Sequence, residues 1–109
     1  MIPDEDIEKA LDYLRDSSET AAQATALRVY LTEYRKTKKA ELMKLSNEEA
    51  VNAQERFAYS HPEYKEFLVG MREAVYQAAR HQYLREAADA KISAWQTQNA
   101  NQRAMGKIV

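Results

Sequence analysis

The chain has 109 residues, enough for one ordinary domain, and its 16 Lys and Arg against 17 Asp and Glu leave a formal charge of −1. That balance excludes the strongly basic signature of a general nucleic-acid binder, and the absence of cysteine removes disulfides, thiolate metal sites and cysteine nucleophiles together. With 30% charged residues and only two glycines and two prolines, the composition favours helix over sheet or disorder.

A first helix is predicted over about 4–16. Pro3 is tolerated in a first turn, Asp4, Glu5 and Asp6 put negative charge where the helix dipole favours it, and Ile7, Ala10, Leu11 and Leu14 recur at helical spacing. Asp16, Ser17, Ser18 and Glu19 are stop or capping residues and mark a break or kink before a second helix over about 20–45. Whether these are two helices or one kinked helix stays open. Ala24, Leu27, Tyr30, Leu31, Tyr34, Leu42 and Leu45 form its apolar stripe, which Lys38 interrupts.

Ser46 with Glu49, and more loosely Asn52 with Glu55, have capping-box spacing, so a connector with a short helix over about 52–59 is expected. Ser60, Pro62 and Glu63 then supply a cap, a first-turn proline and a third-position glutamate, which start a long helix over about 61–100. Its stripe reads Tyr64, Phe67, Leu68, Met71, Val75, Ala78, then Leu84, Ala88, Ile92 and Trp95, interleaved with alanines that let a neighbouring helix approach closely. The Gln- and Asn-rich end predicts a flexible tail over about 101–109.

A helix of roughly forty residues spans on the order of 60 Å and needs its apolar side covered, which the first two segments laid end to end are long enough to do. The fold class is therefore all-α. A single domain over 1–109 is expected to form an elongated antiparallel helical hairpin with one long C-terminal helix. Tyr13, Tyr30, Phe57, Tyr59, Tyr76 and Tyr83 cannot share one seam, so the hairpin is expected to dimerise into a helical bundle.

Residues 28–44 hold six bases (Arg28, Arg35, Lys36, Lys38, Lys39, Lys44) against Glu33 and Glu41, a net +4. Residues 1–19 hold seven acids against Lys9 and Arg15, a net −5. A basic ridge with Tyr34 beside it suits phosphate contact with base stacking; charge runs on helices are more often a solvated helix face, or here a patch answering the acidic end of a second subunit. Trp95 near the end of the long helix, with Tyr76 and Tyr83, suits a docked partner, or in the case of Trp95 the closing of a core.

His61 fits a helix start, and His81 has no second good ligand one turn away, so no metal site is expected. Two isolated glycines make no phosphate-cradling loop and no serine has a nucleophile-elbow context, so neither a cofactor nor catalysis is expected. No long apolar run and no charged leader occurs, which predicts a soluble protein without a membrane span.

The stretches Ala-Leu-Asp-Tyr-Leu-Arg (10–15), Arg-Val-Tyr-Leu-Thr-Glu-Tyr-Arg-Lys (28–36), Ala-Tyr-Ser-His-Pro-Glu-Tyr (58–64) and Ala-Lys-Ile-Ser-Ala-Trp-Gln-Thr-Gln-Asn-Ala-Asn (90–101) resemble a family of small all-helical proteins of tailed bacteriophages and prophages. The resemblance covers nearly the whole chain. It implies an early-region product associated with replication and recombination, acting in the cytoplasm of a bacterial host. The function expected is a non-catalytic accessory protein that assists DNA recombination or replication through the basic ridge. The alternatives are a helical interaction module that inhibits or adapts a host or phage protein, and a structural component of the virion.

Overall fold

The computed structural model describes residues 1–108; Val109, the last residue of the tail expected to be flexible, lies outside the described residues. Four helices run in order: α1 (Asp4–Asp16), α2 (Ser18–Met43), α3 (Val51–Ser60) and α4 (Pro62–Ile108), with no strand among the described residues. The all-α class and the long C-terminal helix are as the sequence implies. No helix among the described residues is long and apolar enough to cross a membrane.

Only Ser17 separates α1 from α2. Its backbone N–H donates to the Tyr13 carbonyl at 2.9 Å and its own carbonyl accepts from the Ala21 N–H at 2.9 Å, so the hydrogen-bond ladder continues across the step. The irregularity comes from side chains. The hydroxyl of Ser17 donates to the Tyr13 carbonyl at 2.6 Å and that of Ser18 to the Leu14 carbonyl at 2.5 Å, competition of the kind that bends helices.

Packing divides the chain into two compact units. In the first, Met1–Ala22 lies against α4 from Arg80 onward, and the pairing is antiparallel: Ile2 meets Gln98, Asp4 meets Trp95, and Leu14 and Ser17 meet Arg85. Its buried residues include Ile7, Ala10 and Ala21. The second unit, Gln23–Ala79, packs α2, α3 and the first part of α4 around Leu42, Ala58 and Tyr64, with Met43 against them. Here too α2 and α4 are antiparallel, with Lys38 opposite Glu63 and Tyr34 opposite Phe67.

Along α4, burial recurs in alternating steps of three and four: Tyr64, Phe67, Met71, Ala74, Ala78, His81, Arg85, Ala88, Ile92, Trp95, Asn99. This seven-residue repeat is how a helix keeps one narrow seam on its neighbour, and its alanines hold the seam close. Leu68, Val75 and Leu84, expected on the stripe, instead face outward because they fall off that repeat. On α2 the wide stripe splits in the same way. Ala24, Leu31 and Leu42 turn inward, while Leu27 and Tyr30 point to solvent; Leu45, in the turn beyond α2, is exposed as well.

Four helix ends differ from expectation. The second helix stops at Met43, where Leu45 and Ser46 bond back to Leu42 and Met43 in tighter three-residue turns. Neither proposed capping box forms at α3: Ala50 precedes it in an extended conformation without a side-chain cap, and the Ser46 hydroxyl accepts from the Glu48 N–H instead. Ser60 is the last residue of α3, its hydroxyl occupied by the Arg56 and Phe57 carbonyls, and His61 caps α4 in its place. The stretch 101–108, expected to fray, continues α4, since it contains no proline and Gln, Arg, Ala and Met accept helix readily.

Candidate functional site

The basic ridge lies on α2, and the structure ties part of it down. Lys38 Nζ meets Glu63 Oε2 at 3.1 Å across the α2–α4 pairing. The hydrogen bond from Lys38 holds the Glu63 carboxyl below the usual glutamate range, and Glu63 raises the lysine in turn. Lys39 Nζ lies 3.4 Å from Glu55 Oε1 and 4.9 Å above the centre of the Tyr59 ring, so it clips α2 to α3; Tyr59 first, then Glu55, raise its pKa. Lys38 interrupts the apolar stripe because it spans the seam to an acid on α4.

Tyr34 is half-buried between Tyr30, stacked at 5.7 Å, and Phe67, tilted at 6.0 Å. Its hydroxyl donates to Glu41 at 3.3 Å, and the charge of Glu41 raises its pKa. Arg28 is half-buried. Of the seven residues expected to meet nucleic acid, Lys38, Lys39 and Tyr34 are thus engaged inside the second unit. Arg35, Lys36 and Lys44 stay exposed, with no ion pair or hydrogen bond from their side chains among the described residues.

Trp95 meets the start of α1. It is half-buried, and its indole N–H donates to Asp4 Oδ1 at 3.0 Å, pinning the acidic start of α1 to α4. Tyr76 and Tyr83 are exposed. The acids of α1 are partly answered within their own helix, Glu5 by Lys9 at 3.4 Å and Asp12 and Asp16 by Arg15 at 3.2 and 3.0 Å.

His61 Nδ1 accepts from the Glu63 N–H at 3.0 Å while its ring meets the edge of Phe57. His81 is half-buried with a sealed, unpartnered Nδ1. No group of three or more acids and histidines among the described residues gathers where it could hold a metal ion.

The side chain that sequence reading missed is Arg85, which enters the first unit's seam and donates to the Leu14 carbonyl and the Ser17 hydroxyl. Its signal was the seven-residue spacing from Met71 through Ala78 to Ile92, which makes 85 an inward position. No known protein family matches this chain, and neither does any curated protein or solved structure.

Proposed function

We propose that this protein is a non-catalytic helical association module that pairs with a second copy of itself and offers its remaining faces to a protein partner. The observation that carries this reading is the apolar surface left outside the seams. In the second unit alone Leu27, Val29, Tyr30, Val69, Val75 and Tyr76 are 42–70% exposed. A helix that packs against one neighbour buries one stripe, and contiguous apolar surface beyond that stripe marks a place for association. A symmetric pair is the commonest way to cover it.

Light scattering at micromolar concentration tests the first half of this reading. A mass of about twice 12.6 kDa supports it. A monomeric mass that persists at the highest soluble concentration overturns it.

A second reading is favoured by the three exposed, unpaired cations Arg35, Lys36 and Lys44. They would let the module touch phosphate while assisting DNA recombination or replication in a bacterial cytoplasm, as the resemblance to phage early-region proteins implies. Fluorescence anisotropy with single-stranded and duplex oligonucleotides at low salt tests it. Binding that falls steeply with salt and is lost in Arg35→Glu/Lys36→Glu supports it, and no binding to either form sinks it.

A further inference from the structure

Resting on the self-association reading, we propose that the second copy docks antiparallel on the outward face of α2, over Leu27, Tyr30, Tyr34 and Thr37. These four positions follow one another in steps of three, four and three, so they form one row along the helix. Leu27 and Tyr30 are 50% and 61% exposed, and Thr37, which ends the row with a small neutral side chain, is open to solvent. No charged residue interrupts the row. The comparable outward row on α4, Leu68, Val69, Val75 and Tyr76, has Arg72 in its middle, where a second copy would meet a like charge.

The α2 row is also prepared for contact. Tyr30 stacks on Tyr34, which is in turn held by Phe67, so a large aromatic surface is presented with little rotamer freedom left to lose. Tyrosine is enriched in interface cores for this reason. Ala26 and Ala40, exposed alongside the row, leave room for a second helix to approach closely.

Charge sets the direction. From Tyr34 to Lys44, α2 and the turn after it carry Arg35, Lys36, Lys38, Lys39 and Lys44 against Glu41, whereas from Ser18 to Leu27 the helix carries Glu19 and no base. Glu63 and Glu55 answer Lys38 and Lys39, and parallel pairing would lay the remaining Arg35, Lys36 and Lys44 of the two copies side by side. Antiparallel pairing lays each basic half along residues 20–30 of its partner, where Arg28 is the one base, and opposes the helix dipoles. In that arrangement Leu27 faces Thr37 of the second copy and Tyr30 faces Tyr34.

The test uses the full chain, whose lack of cysteine permits cross-linking by design. Leu27→Glu/Tyr30→Glu is expected to halve the mass in solution with helical circular dichroism retained, while Val69→Glu/Tyr76→Glu stays dimeric. Under mild oxidation a mixture of Leu27→Cys and Thr37→Cys chains is expected to cross-link, and Leu27→Cys alone is not. A dimer that survives Leu27→Glu/Tyr30→Glu but is lost in the α4 variant overturns the face and leaves self-association standing. Efficient self-cross-linking of Leu27→Cys overturns the antiparallel direction. Should the double glutamate variant lose its helicity, the cysteine pairs decide alone. A monomeric wild type overturns the self-association reading, and this proposal with it.

Discussion

Arg85 Nη1 lies 2.9 Å from the carbonyl oxygen of Leu14, seventy-one positions away in the chain, and the same nitrogen lies 2.9 Å from the Ser17 hydroxyl. Carbonyls near the end of a helix lack a partner in the next turn and carry the negative end of its dipole. A guanidinium is well suited to them because it presents several donors at fixed angles. This charged side chain in the first unit's seam is therefore spent on the irregular step between α1 and α2, holding that step against α4.

Arg85→Met keeps most of the side-chain volume and removes both bonds. A half-buried hydrogen bond from a charged donor contributes on the order of 1.5–3 kcal/mol, and the Ser18 hydroxyl still serves the Leu14 carbonyl, so a loss of about 1–2 kcal/mol in urea unfolding is expected. Ser17→Ala should cost less. Because the two residues share one contact, the double variant should lose less than the two single losses combined, and strict additivity would show that they act independently.

His61, not Ser60, is the residue whose side chain receives an amide at the start of α4. His61→Ala should lower stability by roughly 0.5–2 kcal/mol, the ordinary cost of a lost cap, and His61→Asn should restore most of it. Ser60→Ala should stay within about 0.5 kcal/mol of wild type, since the Ser60 hydroxyl only bonds back within its own turn. Thermal melts of the three variants check this. A Ser60→Ala variant weaker than His61→Ala would return the cap to the serine.

These two cases show what was legible in the sequence. The antiparallel pairing of the front helices with a long back helix follows from segment lengths and from apolar periodicity, both of which the chain displays openly. The choice among neighbouring stripes does not, because large side chains attract attention and small or polar ones fill the seam. Ala74, His81 and Arg85 lie inside, while Leu68, Val75 and Leu84 lie outside. Strict counting by sevens finds Arg85 from Tyr64, and Ala74 and His81 from Phe67. The ridge lysines were legible as charges, but not as partners of Glu63 and Glu55, since that pairing depends on register between helices. Capping failed for a similar reason: Ser60 and His61 compete for one helix start, and the outcome depends on which hydroxyl or ring nitrogen the preceding turn leaves available.

The Lys38–Glu63 pair should hold across neutral pH and fail at both ends. Glu63 sits below the usual glutamate range in the folded chain, so its contribution is present above the unfolded value and disappears as the pH falls through the lowered one. Lys38 is raised, so its contribution is present below the ordinary lysine value and disappears as the pH rises through the raised one. The stability difference between wild type and Glu63→Gln should accordingly shrink toward zero in strong acid, and should also shrink in high salt because the Glu63 side of the pair is open to solvent. A difference unchanged from neutral to acid pH would mean that the glutamate acts through packing alone.

Leu42 is 1% exposed and lies at the centre of a cluster with Ala58 and Tyr64. So small a cluster has few side chains that can shift to refill a vacated site. Leu42→Ala is expected to cost about 2–5 kcal/mol, enough to unfold much of a marginal domain. Leu31→Ala, half-buried on the same helix, should cost less. Equal losses in chemical denaturation would argue that no such centre exists.

Gly70 occupies the interior of α4 with no positive φ, and a Cβ added there meets nothing within 4 Å. A glycine inside a helix costs roughly 0.5–1 kcal/mol relative to alanine, because the unfolded chain has more freedom to lose. Nothing among the described residues requires the smaller residue, so Gly70→Ala should raise stability by about that amount. For a domain of this size the melting temperature should then rise by roughly 2–8 °C. If it falls instead, a neighbour in solution occupies the open space beside Gly70. Light scattering on the same sample would then show whether that neighbour is a second copy, because an alanine that pushes a partner helix away lowers the mass as well as the melting point.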